Sequence, residues 1–345
     1  MYLFMDGFDQ YAPAGTTGDK VQQYLQANGY EVRNASAATF SIIDGRQTAN
    51  NAVIPGQRAL RFTITQSSSV NASLSRSFSS EANKMVIGFA MRATGERMRT
   101  VRVENIVDVD WDRETGKLKV GDVLGASVLI LNAWYYHELV IDWEAGTVEV
   151  WTNNERQLTV PTPPTKATNY TVTWGQTGNA TGTGVQDLDD FTLIDSSNGK
   201  IVDRVGPQDV FFRPPTADVK TEWSIVDAGK ITNHYEVAAQ LLPGDNGKPY
   251  LQSNVAGAID QFRSNAALPN NNEIYAVAVN AYARKGDLDD RSLGIVLQTG
   301  DTPTETEVKL TESFKYYQVT HEAPPSGGTW NQNMVESTEF GIVTR

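Results

Sequence analysis

Apolar and polar residues alternate along most of this chain with a period of two. "ALRFTIT" (Ala59–Thr65), "VIGFAMRA" (Val86–Ala93), "ELVIDW" (Glu138–Trp143) and "TVEVWT" (Thr147–Thr152) are short and rich in β-branched and aromatic residues, which predicts strands. Turn residues punctuate them at Asp44-Gly45, Pro55-Gly56, Glu114-Thr115-Gly116 and Ala145-Gly146. "VDVDWD-RETG-KLKV" predicts a hairpin with Val107, Val109 and Trp111 on one face, and "LVIDW-EAG-TVEVW" predicts another. A helical period stands out in "TTGDKVQQYLQANG", where Val21, Tyr24 and Leu25 share a face. Thr17 or Asp19 can cap it, and Asn28-Gly29 stops it. "EVAAQLL" and "AGAIDQFRSNAAL" carry weaker helical patterns.

The expected fold class is therefore mostly β, with few short helices. An N-terminal jelly-roll β-sandwich is followed by a second antiparallel β-sandwich. The polar cluster Ser196-Ser197-Asn198-Gly199 marks the boundary, giving expected domains at 1–198 and 199–345. "IYAVAVNAYARK", "SLGIVLQTG", "KYYQVTHEA" and "EFGIVT" supply strands to the second. "VPTPPT" (Val160–Thr165) reads as a loop within the first, and glycine-rich "GNATGTG" (Gly178–Gly184) as a flexible strand connection.

The opening "MYLFMDGFDQY" puts a strand at the very start, turned at once through Asp6-Gly7. A terminal strand needs a partner. "DLDDFTLID" (Asp187–Asp195) is the strand expected to pair with it.

Composition narrows the partners. Asp and Glu total 41 against 29 Lys and Arg, for a net charge of −12, and basic residues form no run longer than an isolated pair. That opposes nucleic acid and anionic membrane as partners. Cysteine is absent, which rules out disulfides and Cys-ligated metal. The start lacks the pattern of a secretory signal, and no apolar run approaches a membrane span, so synthesis and folding inside a cell are expected.

Four segments, in order, resemble the laminin-G/concanavalin-like jelly roll. They are the aromatic-Asp motif Asp6-Gly7-Phe8-Asp9, the strand Gly56 to Phe62, the hairpin Trp134 to Val150 and the closing Asp-Asp-Phe at Asp189–Phe191. The opening, together with "IYAVAVNAYARKGDLDDRSLGIVLQTG" and "TW…VESTEFGIV", is similar to a group of tailed-bacteriophage virion proteins. The resemblance implies a non-enzymatic structural component of the particle, such as a tail, collar, fibre or decoration protein. It would bind copies of itself as a homo-oligomer and other virion proteins, after synthesis in the bacterial host cytoplasm. The alternative is a carbohydrate-binding, receptor-recognition module of a fibre, with a surface glycan as partner.

Catalytic constellations are poorly supported. Glu138, Asp142 and Glu144 alternate along one strand, as the carboxylates of laminarinase-type glycosidases do, but Val140 breaks the series. The solvated acidic face of a strand is the commoner role. His137, His234 and His321 have no metal-ligand spacing, and no nucleotide or nucleophile-elbow motif occurs. No catalytic residue and no cofactor is expected. Asp108, Asp110 and Asp112 alternate on a strand, which supplies calcium poorly. Asp6, Asp9, Asp189 and Asp190 are the candidate calcium ligands if the first and last strands meet, although Asp-Asp at a strand entrance more often makes an Asx-type turn. Lys285–Ser292, with Arg284, Asp287, Asp289, Asp290 and Arg291, could form a ligand site or an inter-subunit ion-pair network, although a solvated hairpin loop is the commoner role. Trp134, Tyr135 and Tyr136, with Tyr316 and Tyr317, are the candidate glycan or interface aromatics. Consecutive rings on a strand cannot all be buried on one face.

Overall fold

A computed structural model describes residues 1–46, 57–64, 72–95, 98–175, 184–198, 203–227, 229–242, 248–268 and 273–345. The chain divides into two compact units, Met1–Val210 and Phe211–Arg345.

The first unit enters on β1 (Tyr2–Asp6), crosses helix α1 (Gly18–Ala27) and continues through β2 (Tyr30–Arg33), β3 (Phe40–Asp44) and β4 (Arg58–Ile64). It then runs through β5 (Ser73–Ser79), the long β6 (Lys84–Gly95), β7 (Met98–Val103), β8 (Val107–Asp112), β9 (Lys117–Val120) and β10 (Val123–Val128). It closes with β11 (Trp134–Asp142), β12 (Thr147–Thr152), β13 (Glu155–Pro161), β14 (Asn169–Gly175) and β15 (Gly184–Asp195).

Two antiparallel sheets result. The first has the order β13-β12-β11-β6-β15-β4-β3, with β1 also on β15, and the second is β10-β9-β8-β7-β14-β5-β2. Both predicted hairpins form, as β8–β9 and β11–β12. The inner faces meet at Trp174, which packs edge-on to Phe191 and Phe89 at centroid distances of 4.6 and 5.7 Å. Leu60, Phe62, Ile87, Phe89, Leu139, Ile141, Val150, Phe191 and Leu193 of the first sheet are all fully buried. The predicted helix is α1, with Thr17 before it and Val21, Tyr24 and Leu25 buried.

The first strand has the expected partner. β1 lies antiparallel to β15, with Tyr2 opposite Ile194 and Asp6 opposite Phe191. The abrupt turn after it is built on Asp6. Its carboxylate accepts hydrogen bonds from Phe8 N (2.8 Å), Gln10 Nε2 (3.0 Å), Tyr11 OH (2.5 Å), Tyr30 OH (2.9 Å) and Asn28 Nδ2 (3.2 Å). Phe8 turns back into the core at φ 58° and is fully buried. "DGFDQY" is thus a packing motif in which one buried carboxylate ties the first strand to the start of β2.

The boundary between the units falls after Val210 rather than at Asn198/Gly199, because 203–210 binds back onto the first sheet. Gly206 N donates to Glu138, Val210 N donates to Asp190, and Gln208 Nε2 donates to Tyr2 OH.

The second unit contains β16 (Ala217–Thr221), β17 (Ser224–Val226), α2 (His234–Ala238), β18 (Tyr250–Gln252), β19 (Ile259–Arg263), β20 (Val277–Ala283), β21 (Ser292–Thr299) and β22 (Thr302–Lys309). β23 (Lys315–His321), α3 (Gln332–Glu336) and β24 (Glu339–Thr344) complete it. Its five-stranded sheet is β16-β19-β24-β21-β22, and β20 pairs with β23. Val279 of β20 packs with Leu293, Ile295 and Leu297 of β21, Trp330 and Val335, so the β20–β23 pair lies against the sheet as a second layer. "AGAIDQFRSNAAL" is not helical: its centre is β19, held between β16 and β24. Tertiary pairing there overrides a weak local pattern.

The whole is mostly β, in antiparallel sheets, with three short helices among the described residues. No helix among them is long and apolar enough to cross a membrane.

Candidate functional site

The outer face of the first sheet carries the most organised polar chemistry. In the ladders, Trp134 stands opposite Arg92, Arg92 opposite Asp187, and Asp187 opposite Arg61. Directly paired residues share a face, so these four form one row across β11, β6, β15 and β4. Arg61 Nε lies 2.6 Å from Asp187 Oδ1 and its Nη2 lies 2.9 Å from Oδ2. Arg92 reaches the same carboxylate through Nε at 2.8 Å and Nη2 at 2.6 Å. Arg92 Cζ also stands 5.2 Å from the Trp134 ring centroid, within cation–π range. Asp187 is buried, whereas Trp134, Arg92 and Arg61 are partly exposed.

Further along the face, Tyr136 lies over Gly88, and its OH is 3.1 Å from Thr192 Oγ1. Burial raises the Tyr136 phenol well above its usual pKa. Glu138 is bound by Arg204 (Nη2 at 2.8 Å) and by Gly206 N at 2.9 Å, and Arg204 Cζ stands 4.2 Å from the Trp151 ring centroid. Desolvation lifts the Glu138 carboxyl, and Arg204 opposes that rise. Residues 204–210 therefore form a strap over the face from Glu138 to Asp190. Among the described residues, no bond of this strap reaches the Trp134–Arg61 row.

The aromatic triplet is split by this geometry. Trp134 stays partly exposed in the row, and Tyr136 is buried. Tyr135 OH accepts a hydrogen bond from Ile130 N at 2.8 Å. In the second unit, Tyr316 packs on Tyr282 at 4.7 Å, and Tyr317 lies against the core with its OH accepting from Thr311 N at 3.0 Å.

The four candidate calcium ligands are drawn to one region but are committed elsewhere. Asp6 serves the turn described above. Asp9 Oδ1 accepts from Arg58 N at 2.5 Å, and Asp189 accepts from Arg46 N and Asp190 N. Asp190 accepts from Val210 N, and its other oxygen lies 3.0 Å from Arg46 Nη2. Among the described residues, no group of three or more acidic or histidine side chains is arranged to hold a metal ion. The Arg46 guanidinium on Asp190 and backbone N–H donors on Asp9, Asp189 and Asp190 take carboxylate lone pairs that a cation would use. Burial pushes the Asp9 and Asp189 carboxyls well up, with Asp190 adding like-charge repulsion to both.

The remaining candidates do not assemble. Glu138 is held by Arg204, Asp142 pairs with Lys84 at 3.1 Å at the end of β11, and Glu144 is in the turn beyond. Asp108 and Asp110 pair with Arg99, and Asp112 caps its own turn at Thr115. Arg291 pairs with Asp287 and Asp289 on the surface. His137 is buried and held down to about 3 by desolvation, so it is a neutral core residue. His234 Nδ1 lies 2.5 Å from buried Asp260, and His321 is lowered by burial. "GNATGTG" lies outside the described residues except for Gly184. An open groove of about 680 Å³, lined by Trp143, Glu144, Pro163, Pro164 and Lys166, lies at the end of β11 opposite to Trp134.

The sequence reading found Trp134 from ring clustering. It missed Arg61, Arg92, Asp187 and Arg204, because register across non-adjacent strands is what joins them. Asp187 alone carried a signal, as a carboxylate at the head of the closing strand.

No family model matches the chain, and no curated protein matches it in sequence. Solved structures of similar fold include a sialidase (9% identity, TM-score 0.36), of which the match spans 49% of this chain but only 17% of the sialidase. An alginate lyase from Corynebacterium sp. matches at 13% identity and TM-score 0.35, over 52% of this chain and 98% of its own. A GH131 β-glucanase catalytic domain from Podospora anserina matches at 13% and 0.32, over 49% and 86%. These proteins correct one expectation. All three are named as enzymes, so the reading of this chain as non-enzymatic is withdrawn. At such identities the likeness is one of fold, a jelly-roll β-sandwich, and it transfers no activity or residue role.

Proposed function

We propose that the first unit binds a carbohydrate on the outer face of its first sheet, at the end marked by Trp134. The observation that carries this reading is the row Trp134–Arg92–Asp187–Arg61, which places an aromatic ring beside fixed guanidinium donors on an extended, partly exposed surface. A sugar ring offers an apolar C–H face to an aromatic plane and hydroxyls to charged donors around it. Asp187 fixes both guanidiniums from beneath, so little freedom is left to lose on binding. On the resemblance to tailed-phage proteins, the ligand would be a host-surface glycan met by a fibre. The test is a glycan array with the full chain, followed by titration of any ligand found. Trp134→Ala is expected to weaken binding at least about tenfold with an unchanged melting temperature. Binding that survives this substitution, or a blank array from folded protein, contradicts the reading.

A further inference from the structure

Charge on this face is sorted by depth. The side chains of Asp187, Asp190 and Glu138 are only 1–2% exposed, whereas those of the arginines paired with them, Arg61, Arg92, Arg46 and Arg204, are 34, 27, 19 and 18% exposed. The anions are more deeply buried than the cations, and arginine is what this face leaves partly exposed. In the strap region each arginine has its own carboxylate, Arg46 on Asp190 and Arg204 on Glu138, and Asp209, itself 44% exposed, adds a further negative charge at Arg46. At the Trp134 end the cations outnumber the anions. Arg61 and Arg92 share Asp187 alone, and among the described residues no second acidic side chain pairs with either. The row therefore holds a surplus of one positive charge, on the surface of a chain whose net charge is −12.

We infer that this row selects an anionic carbohydrate, one bearing carboxylate or sulfate groups. The inference rests on the carbohydrate reading above and names the class of ligand. Asp187 occupies the Nε–Nη2 edge of both guanidiniums, so the remaining Nη1 groups and the unbalanced charge are what a ligand meets. A neutral sugar would leave that charge uncompensated while excluding water from it. A carboxylate or sulfate completes an alternation of two cations between two anions, one below and one above, at low local dielectric. The overall negative charge opposes such a ligand at long range, but a Debye length near 8 Å at physiological salt confines the contest to the groups in contact.

The test pairs polymers that differ only in charge: polygalacturonate against its carboxyl-reduced neutral counterpart, and dextran sulfate against dextran, each titrated into the full chain. In at least one pair the charged polymer should bind about tenfold or more tighter, and that pair identifies the anion. Arg92→Gln and Arg61→Gln should each erase most of the preference. Arg92→Lys, which keeps the charge with less change to the fold, should retain most of it. Equal binding of charged and neutral polymers overturns this inference and leaves the carbohydrate reading standing. Failure of every glycan, charged or neutral, to bind folded protein overturns both.

Discussion

Arg92 stands directly across the β6–β15 ladder from Asp187, with its Nη2 2.6 Å from Asp187 Oδ2. Arg61 grips the same carboxylate from β4 on the other side. β15 is thereby bracketed by two guanidiniums on one buried anion. Replacing it by Asp187→Ala leaves the two cations side by side with nothing between them. A loss of about 2 kcal/mol in denaturant stability is expected, less than for a fully buried pair because both arginines are partly solvated. An unchanged midpoint would show that the row is ornamental to the fold.

The strap makes a second test. Glu138 and Arg204 are 66 positions apart, and their contact at 2.8 Å is the anchor at which 203–210 begins its path over the sheet. Arg204→Ala strands a carboxylate that is 2% exposed. It should cost about 2–3 kcal/mol and open the strap to proteolysis within 203–210. Glu138→Gln with Arg204→Gln should cost less than the sum of the single changes, by about 1 kcal/mol or more. Additive effects, with no new cleavage in the strap, would contradict this anchoring role.

Gly88 is glycine because Tyr136 needs the space. A Cβ there would overlap the Tyr136 hydroxyl and lie 2.6 Å from Thr192 Oγ1. Gly88→Ala is expected to destabilise by about 2 kcal/mol through overpacking. Adding Tyr136→Phe removes the nearest obstruction and should recover part of the loss. If the double variant is no better than Gly88→Ala alone, the close approach is not what fixes the glycine.

Stability against pH separates two buried groups of opposite sign. His137 titrates at about 3 in the folded protein and near 6.5 when unfolded. Between those values the unfolded chain carries the extra proton. Its contribution is present above about pH 6.5 and lost on acidification, at about 1.4 kcal/mol per pH unit. His137→Gln should flatten the acid limb. Asp9 is raised, first by burial and then by Asp190 and Asp6 against Arg58, so its folded form holds the proton longer than the unfolded chain does. That stability is present at low pH and lost as pH rises through the folded value. Asp9→Asn should therefore stabilise increasingly as pH rises above the ordinary carboxyl range. A thermal-melt series in which the two variants track the parent at every pH would refute both assignments.

Most of the fold was legible because the core is written in alternation. The period of two placed the β8–β9 and β11–β12 hairpins of the first unit, and the need of an exposed first strand for a partner placed β1 on β15. The helix was legible because Val21, Tyr24 and Leu25 recur at helical spacing. β19 was not, since Ile259–Arg263 takes its conformation from β16 and β24 rather than from its own sequence. The candidate site was legible only at Trp134. Arg61, Arg92 and Asp187 are far apart in the chain and meet through register, which a bulge between Asp189 and Thr192 alters along β15. Arg204 was hidden for a related reason: it lies just past the polar cluster that marked the domain boundary, in a segment that binds back onto the sheet.

The central claim is that the Trp134 end of the first sheet's outer face is where a carbohydrate docks. A crystal structure of the full chain with an oligosaccharide taken from the array tests it most directly. The account predicts a sugar ring against the Trp134 indole, within hydrogen-bond reach of Arg92 or Arg61. An oligosaccharide seated in the Trp143–Pro163 groove or on the second unit, with the row untouched, would contradict it.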